Sequence, residues 1–247
     1  MSLQGQPCWY ELTASDPSAA RTFYTAIMGW IWADSGTPGM DYRIARMGLP
    51  MVAGMTQAKP GQPAAWMIYF AVDNCDATAD LAKSLGATII VPPADIPNTG
   101  RFAMLIDPQG AAFALLQPLP GGMGGAFDQQ KPGHGNWHEV LVPDPVVALA
   151  FYGKLFGWTV TRSMPMGPMT YHIFAHDGLD IGGAFAPESG RSMWKPYFGI
   201  GSAAAAKLAV TQAGGAVVRG PDEVPGGAFT LQCTDPDGVI FALVGPA

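Results

Sequence analysis

Cysteine is scarce in this chain. Cys8, Cys75 and Cys233 lie far apart and are odd in number, so no disulfide framework or CxxC site is in view, and a reducing cytoplasm is the expected setting. Charge is scarce as well, at 13% of residues, with a net charge of −6. Lysine and arginine are nowhere clustered, which argues against nucleic acid as a partner. No apolar run approaches the ~20 residues that span a bilayer, so no membrane partner is expected. The opening Met1-Ser2-Leu3-Gln4-Gly5-Gln6-Pro7 has neither the basic nor the apolar region of a signal peptide. There is no GxSxG elbow for a nucleophilic serine. Glycine-rich stretches do not stand between a strand and a helix, as a phosphate loop requires.

What is present is an internal repeat. Trp9-Tyr10-Glu11-Leu12 leads through Asp16-Pro17 to Phe23-Tyr24 and Gly29-Trp30. Trp137-His138-Glu139-Val140 leads through Asp144-Pro145 to Phe151-Tyr152 and Gly157-Trp158, 128 residues later. The ends also match: Asp107-Pro108-Gln109-Gly110 before Phe113-Ala114-Leu115, and Asp235-Pro236-Asp237-Gly238 before Phe241-Ala242-Leu243. A repeat of this kind fixes the architecture before any local reading. With 247 residues, 49% of them hydrophobic, the chain fits two domains with real cores. The expected division is a first domain over 1–118, a Gly/Pro-rich linker over 119–135 that includes Gly121-Gly122 and Gly124-Gly125, and a second domain over 136–247.

Each half reads as two smaller repeats of strand, helix and three strands. In the first, Pro7 to Ala14 alternates as a strand. Asp16-Pro17 is an N-cap with proline at N1, and Gly29 stops the helix that carries Ala20, Phe23, Tyr24 and Ile27. Trp30 to Ala33, Tyr42 to Met47 and Met51 to Gln57 follow as strands. The second repeat has strands at Trp66 to Val72, Ala87 to Pro92, Arg101 to Ile106 and Ala112 to Gln117, with a helix opened by Asp73-Asn74 and closed at Gly86. The stretch Asp95 to Gly100 reads as a mobile loop. The second half repeats both plans, and the alanine-rich helix at Ala203 to Ala213 is suited to lie flat on its sheet.

Four tandem βαβββ repeats with these punctuating residues resemble the vicinal-oxygen-chelate superfamily, the group of glyoxalase I, extradiol dioxygenases and bleomycin-resistance proteins. The resemblance covers nearly the whole chain and is closest to tandem two-domain glyoxalase-like proteins. It implies an α+β fold in which two repeats pair their sheets into a cup around a small-molecule ligand. It also implies a divalent metal in that cup. One ligand would come from the first strand of a repeat and another four residues after the glycine of Asp-Pro-x-Gly. In this chain those positions hold Trp9 and Trp137, Met67 and Lys195 (or Trp66 and Trp194 if the register slips by one), and Ala114 and Ala242. The remaining candidates fall near Gly54-Met55 and Gly183-Ala184. The ion needs three or more converging N or O donors. Indole, methyl and ammonium groups offer none, so neither a metal nor another cofactor is expected.

The histidines do not restore a donor set. His172 and His176 lie on a predicted strand, where i and i+4 are about 13 Å apart. His138 alternates onto the face opposite Trp137 and Glu139, and His134 falls in the linker.

The candidate site is instead Trp9 with Glu11, and Trp137 with Glu139, each pair on one strand face. A glutamate in an apolar aromatic cup is expected to hold its proton more tightly, which suits a general base near neutral pH. Glu139 and Glu11 are the candidate catalytic residues. A carboxylate on a central strand is also often tied to a nearby tyrosine or amide for purely structural reasons. Substrate-binding candidates are Trp9, Trp137, Lys195 (whose counterpart is Met67), Tyr42, Tyr171 and Arg101. Lys195 beside Glu139 would make a polar pair that orients a substrate carboxylate or carbonyl. Methionines such as Met40, Met47, Met51 and Met55 suit adaptable apolar walls.

The expected function is binding of a small organic molecule without a metal, with lyase-like or proton-transfer chemistry. The alternatives are a drug-sequestering protein of the resistance type and a metal-dependent lyase or dioxygenase. Four repeats in one chain can complete both cups, so either a monomer or a homodimer is expected.

Overall fold

The structure, a computed structural model, describes residues 3–36, 41–122, 125–188 and 190–247. Met1, Ser2, Met40 and Gly124, named above, lie outside the described residues. The first repeat comprises β1 (Pro7–Ala14), α1 (Pro17–Met28), β2 (Ile31–Asp34), β3 (Tyr42–Arg46) and β4 (Met51–Gln57). The second comprises β5 (Ala65–Ala71), α2 (Cys75–Ser84), β6 (Thr88–Ile96), β7 (Gly100–Ile106) and β8 (Ala112–Pro118). The third comprises β9 (Gly135–Leu141), α3 (Pro145–Phe156), β10 (Thr159–Met166), β11 (Met169–His176) and β12 (Leu179–Phe185). The fourth comprises β13 (Met193–Gly199), α4 (Ala203–Gln212), β14 (Ala216–Val224), β15 (Ala228–Thr234) and β16 (Ile240–Gly245).

The strands form two mixed sheets, ordered β2-β3-β4-β1-β5-β8-β7-β6 and β10-β11-β12-β9-β13-β16-β15-β14. The expected α+β fold of four βαβββ repeats is therefore observed. Punctuation works as the sequence implies. Asp16 accepts from Ser18 N and Ala19 N, Pro17 takes the first helical position, and Gly29 closes α1 in the left-handed region at φ 69°. Asp144, Pro145 and Gly157 repeat this around α3. The helix α4 packs on β14, β15 and β16, presenting Ala203, Ala206 and Val210 as its buried side.

One expected loop is not a loop. Asp95 pairs with Arg101 and Ile96 with Gly100, so 95–101 closes a β6–β7 hairpin. Asn98 takes the left-handed backbone (φ 58°) that its turn requires. β6 also continues through Pro92-Pro93, with register shifts between Ile89 and Val91 and between Val91 and Ala94. Such irregularities are where a strand tolerates proline.

By packing, the chain divides into two compact units. The first contains Met1–Cys8, Ile68–Met123 and Trp137–Trp194; the second contains Trp9–Met67, Gly124–Asn136 and Lys195–Ala247. Each therefore draws on both halves of the sequence. Inside the first, Trp194 Nε1 donates to Tyr152 Oη (2.9 Å), which donates to Asp107 Oδ2 (2.9 Å). Asp107 Oδ1 accepts from Gln109 N and Ala111 N, closing the Asp-Pro-x-Gly turn. Inside the second, Trp66 Nε1 donates to Tyr24 Oη (3.0 Å) and Tyr24 to Asp235 Oδ2 (3.0 Å), while Asp235 Oδ1 holds Asp237 N and Val239 N. The Phe-Tyr and Asp-Pro-x-Gly motifs are thus two ends of one buried connection, made once in each unit. Gly-Trp has its own role: Trp30 Nε1 donates to Gly133 O (2.8 Å) and Trp158 Nε1 to Gly5 O (2.9 Å).

Candidate functional site

In the second compact unit, parallel pairing of β1 with β4 sets Glu11 opposite Gly54. Tyr42 on β3 reaches across that glycine. Its hydroxyl accepts from Trp9 Nε1 (2.9 Å) and donates to Glu11 Oε2 (2.8 Å). The same relay exists in the first unit. There Glu139 stands opposite Gly183, Trp137 Nε1 donates to Tyr171 Oη (2.9 Å), and Tyr171 donates to Glu139 Oε1 (2.9 Å). Both glycines are required by space. A Cβ at Gly54 would overlap the Tyr42 hydroxyl, and one at Gly183 would overlap the Tyr171 ring and hydroxyl. Neither glycine has a positive φ, so conformational freedom is not the reason for them.

The relay fixes the protonation of its middle member. Burial, followed by the Glu11 charge, pushes the Tyr42 phenol well above its ordinary range. Burial and Glu139 do the same to Tyr171. Each phenol therefore stays a donor to its carboxylate at physiological pH. Trp9, Glu11, Tyr42, Trp137 and Tyr171 are half-buried, and Glu139 is buried. The sequence pairs each Trp with its Glu correctly. It does not reveal that Tyr42 and Tyr171 join them. The available signal is a glycine in the same place on the fourth strand of the first and third repeats, Gly54 and Gly183.

Lys195 lies in the second unit, on β13, and is 5% exposed. Its Nζ donates to Gln232 Oε1 (2.6 Å) and stands 5.4 Å from the Tyr197 ring centre. Gln232 Nε2 donates to Tyr197 Oη (2.6 Å). Sequence reasoning singles out neither Gln232 nor Tyr197, although the repeat offset sets Gln232 against an apolar Met104. Arg101 lies elsewhere, on β7 in the first unit. It is bidentate to Asp76 (2.6 and 2.9 Å) and bonded to Asp95 (2.8 Å). An incoming anion would have to compete with both carboxylates.

Among the described residues, the donors that a divalent ion needs do not assemble. Ala114 and Ala242 are fully buried methyl groups. His138 is fully buried; its Nδ1 donates to Ile181 O (2.7 Å), and burial lowers its pKa from 6.5 to about 4. His172 Nδ1 pairs with Ser163 Oγ (2.8 Å), and His176 Nε2 bonds Gln4 O (3.0 Å). The buried side-chain polar atoms without a partner among the described residues are Trp32 Nε1 and His134 Nε2, an indole and one imidazole nitrogen. Among the described residues no three His, Cys, Asp or Glu side chains form a cluster that could hold an ion. The residues present do not fit the metal centre that the resemblance implies.

Two open clefts lie in the first unit, and no relay residue lines either of them. One of about 450 Å³ is lined by Pro145, Met169, His172 and Glu188, among others. One of about 500 Å³ is lined by residues that include Val72, Asp73, Gln117 and Leu119. Among the described residues no helix is long and apolar enough to cross a membrane.

Comparison with known proteins gives three findings. Residues 8–115 and 135–243 each match the family described as the Glyoxalase/Bleomycin resistance protein/Dioxygenase superfamily. The chain is 32% identical, over 99% of its length and 96% of the relative's, to the protein named "Putative glyoxylase CFP32" of Mycobacterium tuberculosis. It is 28% identical, over 97% of its length and 93% of the relative's, to the anthracycline biosynthesis protein DnrV of Streptomyces peucetius. Among solved structures, the Mn(II)-bound glyoxalase of Novosphingobium aromaticivorans aligns with a TM-score of 0.68 at 15% identity, covering 99% of this chain and 82% of the other. The 2,2',3-trihydroxybiphenyl 1,2-dioxygenase of Sphingomonas wittichii aligns with a TM-score of 0.67 at 15% identity, covering 99% and 91%. At such identities the two structures speak to the fold alone.

Proposed function

Since the chain belongs to the glyoxalase/bleomycin resistance protein/dioxygenase superfamily, we propose that it binds a small organic molecule at its Trp–Tyr–Glu relays without a metal, and that its chemistry is proton transfer based on Glu139 or Glu11. The observation that carries this reading is the relay itself, built twice with the same hydrogen bonds. A carboxylate clamped by a phenol is an oriented acceptor for an acidic hydrogen of a ligand. The tyrosine hydroxyl occupies one carboxylate oxygen and fixes the direction in which the group faces a ligand. The indoles of Trp9 and Trp137 supply flat apolar surface for stacking. The name of the Streptomyces relative, an anthracycline biosynthesis protein, supports a planar fused-ring ligand. Three buried free thiols agree with a cytoplasmic setting.

Sequestration without turnover is the second reading. It is favoured by the full use of each tyrosine hydroxyl, which accepts from Trp and donates to Glu and so has no proton to hand to a substrate. The test of the first reading is a tryptophan-fluorescence titration with 2-naphthol, whose hydroxyl can donate to the carboxylate. Glu11→Gln with Glu139→Gln should weaken binding by about tenfold, the value of one charge-assisted hydrogen bond, in a chain that still unfolds cooperatively. Unchanged affinity in the double variant would remove both carboxylates from the site.

A further inference from the structure

The two halves differ most in chemistry along one row of side chains in the fourth repeat. Tyr197 on β13 is the register partner of Ala242 on β16, and Ala242 is the partner of Gln232 on β15. Directly paired residues share a sheet face, and so does Lys195, two residues before Tyr197. The buried Ala242 methyl is short enough for Gln232 Nε2 to reach over it to Tyr197 Oη (2.6 Å), while Gln232 Oε1 holds the Lys195 ammonium (2.6 Å). Gln232 itself is half-buried and is the least covered member of the row. The equivalent row of the second repeat keeps the tyrosine and the alanine, as Tyr69 and Ala114. It has Met67 in place of Lys195 and Met104 in place of Gln232. Both polar members are exchanged together for methionine, so the row behaves as one device.

We propose that this row is a specificity device of the fourth repeat: the Lys195 ammonium, aimed by Gln232, receives an anionic oxygen of the ligand, a carboxylate, enolate or phenolate. The second repeat has thioethers at the corresponding positions and no such cation. Ala242 is the position to which the resemblance assigns a metal-binding carboxylate. The chain thus sets a fixed organic cation beside a position where relatives of this kind would hold a metal ion. An ammonium supplies charge and hydrogen-bond donors without requiring a ligand set. The inference rests on the small-molecule reading above and names the ligand class for one of the two rows.

The experiment uses two probes of nearly equal shape, 2-naphthoate and 2-naphthamide, titrated against the full chain by tryptophan fluorescence and calorimetry. Lys195→Met, which copies the second repeat, should weaken 2-naphthoate about tenfold or more, as loss of a charge-assisted contact implies. It should change 2-naphthamide less than about twofold. Gln232→Met should shift the same ratio in the same direction by a smaller factor, and it serves alone if the lysine variant does not fold. Met67→Lys with Met104→Gln should strengthen binding of the anion. Equal weakening of both probes, or no change in their ratio, would overturn the inference while leaving the small-molecule reading intact. Failure of the unaltered chain to bind either probe would sink both.

Discussion

Gly183→Ala isolates the relay from the rest of the fold. On a strand, alanine for glycine ordinarily gains about 0.5–1 kcal/mol, because glycine loses more backbone entropy on folding. Gly183 has no left-handed backbone to defend, so that gain should appear here too. The added Cβ, however, would overlap Tyr171 Cζ and Oη. Displacing the ring costs about 1–3 kcal/mol as overpacking. It also breaks the Trp137–Tyr171 and Tyr171–Glu139 hydrogen bonds, worth about 1 and about 1.5–3 kcal/mol, of which water at this half-buried site restores a part. The expected net effect is a loss of about 2–4 kcal/mol, opposite in sign to the usual substitution. Urea unfolding followed by tryptophan fluorescence measures it. In a Tyr171→Ala background there is nothing to displace, so the same change should be neutral or stabilising. Equal costs in the two backgrounds, or a cost below about 0.5 kcal/mol in the native one, would show that Tyr171 does not set the requirement for glycine.

Two further outcomes follow from buried groups. Tyr152→Phe leaves the Trp194 indole N–H and the Asp107 carboxylate without their shared partner, at a cost of about 3–5 kcal/mol; Tyr171→Phe, at a half-buried site, should cost less than half as much in the same denaturation assay. His138 is held neutral, with its pKa lowered from 6.5 to about 4 by burial. Its contribution is therefore fully present above pH 6.5 and is lost as pH falls through 4, which amounts to about 2–3 kcal/mol between pH 7 and pH 4.5. Denaturation at those two pH values should show this acid loss in the native chain and not in His138→Gln.

Much of the fold is legible in the residues. Alternation places β1 at Pro7–Ala14 and β4 at Met51–Gln57, and the Asp-Pro and glycine pairs bound α1 and α3. These signals are local, and local chemistry sets strand and helix ends. The site is only partly legible because it depends on register. Alternation shows that Trp9 and Glu11 share a face but not that Tyr42 leans over Gly54 to meet them. The repeat itself slips there. Tyr42 and Tyr171 are 129 residues apart rather than 128, because Thr161 is taken up at a bulge where β10 shifts register against β11. The surroundings of Arg101 depend on register in the same way. A hairpin with a left-handed Asn98 reads locally as a loop, and only the β6–β7 pairing brings Asp95 to the guanidinium. Gln232 escapes notice until its pairing with Ala242 sets it beside Lys195 and Tyr197.

Tyrosine, rather than an ion, is proposed to hold each relay carboxylate, and metal stoichiometry separates the two possibilities. The purified chain is equilibrated in turn with Mn(II), Fe(II), Ni(II) and Zn(II), passed through a desalting column, and assayed by elemental analysis beside Glu11→Gln/Glu139→Gln. Only trace, substoichiometric metal is expected in every case, with no difference between the two proteins. One tightly held ion per half, lost in the double variant, would mean that the carboxylates serve a metal.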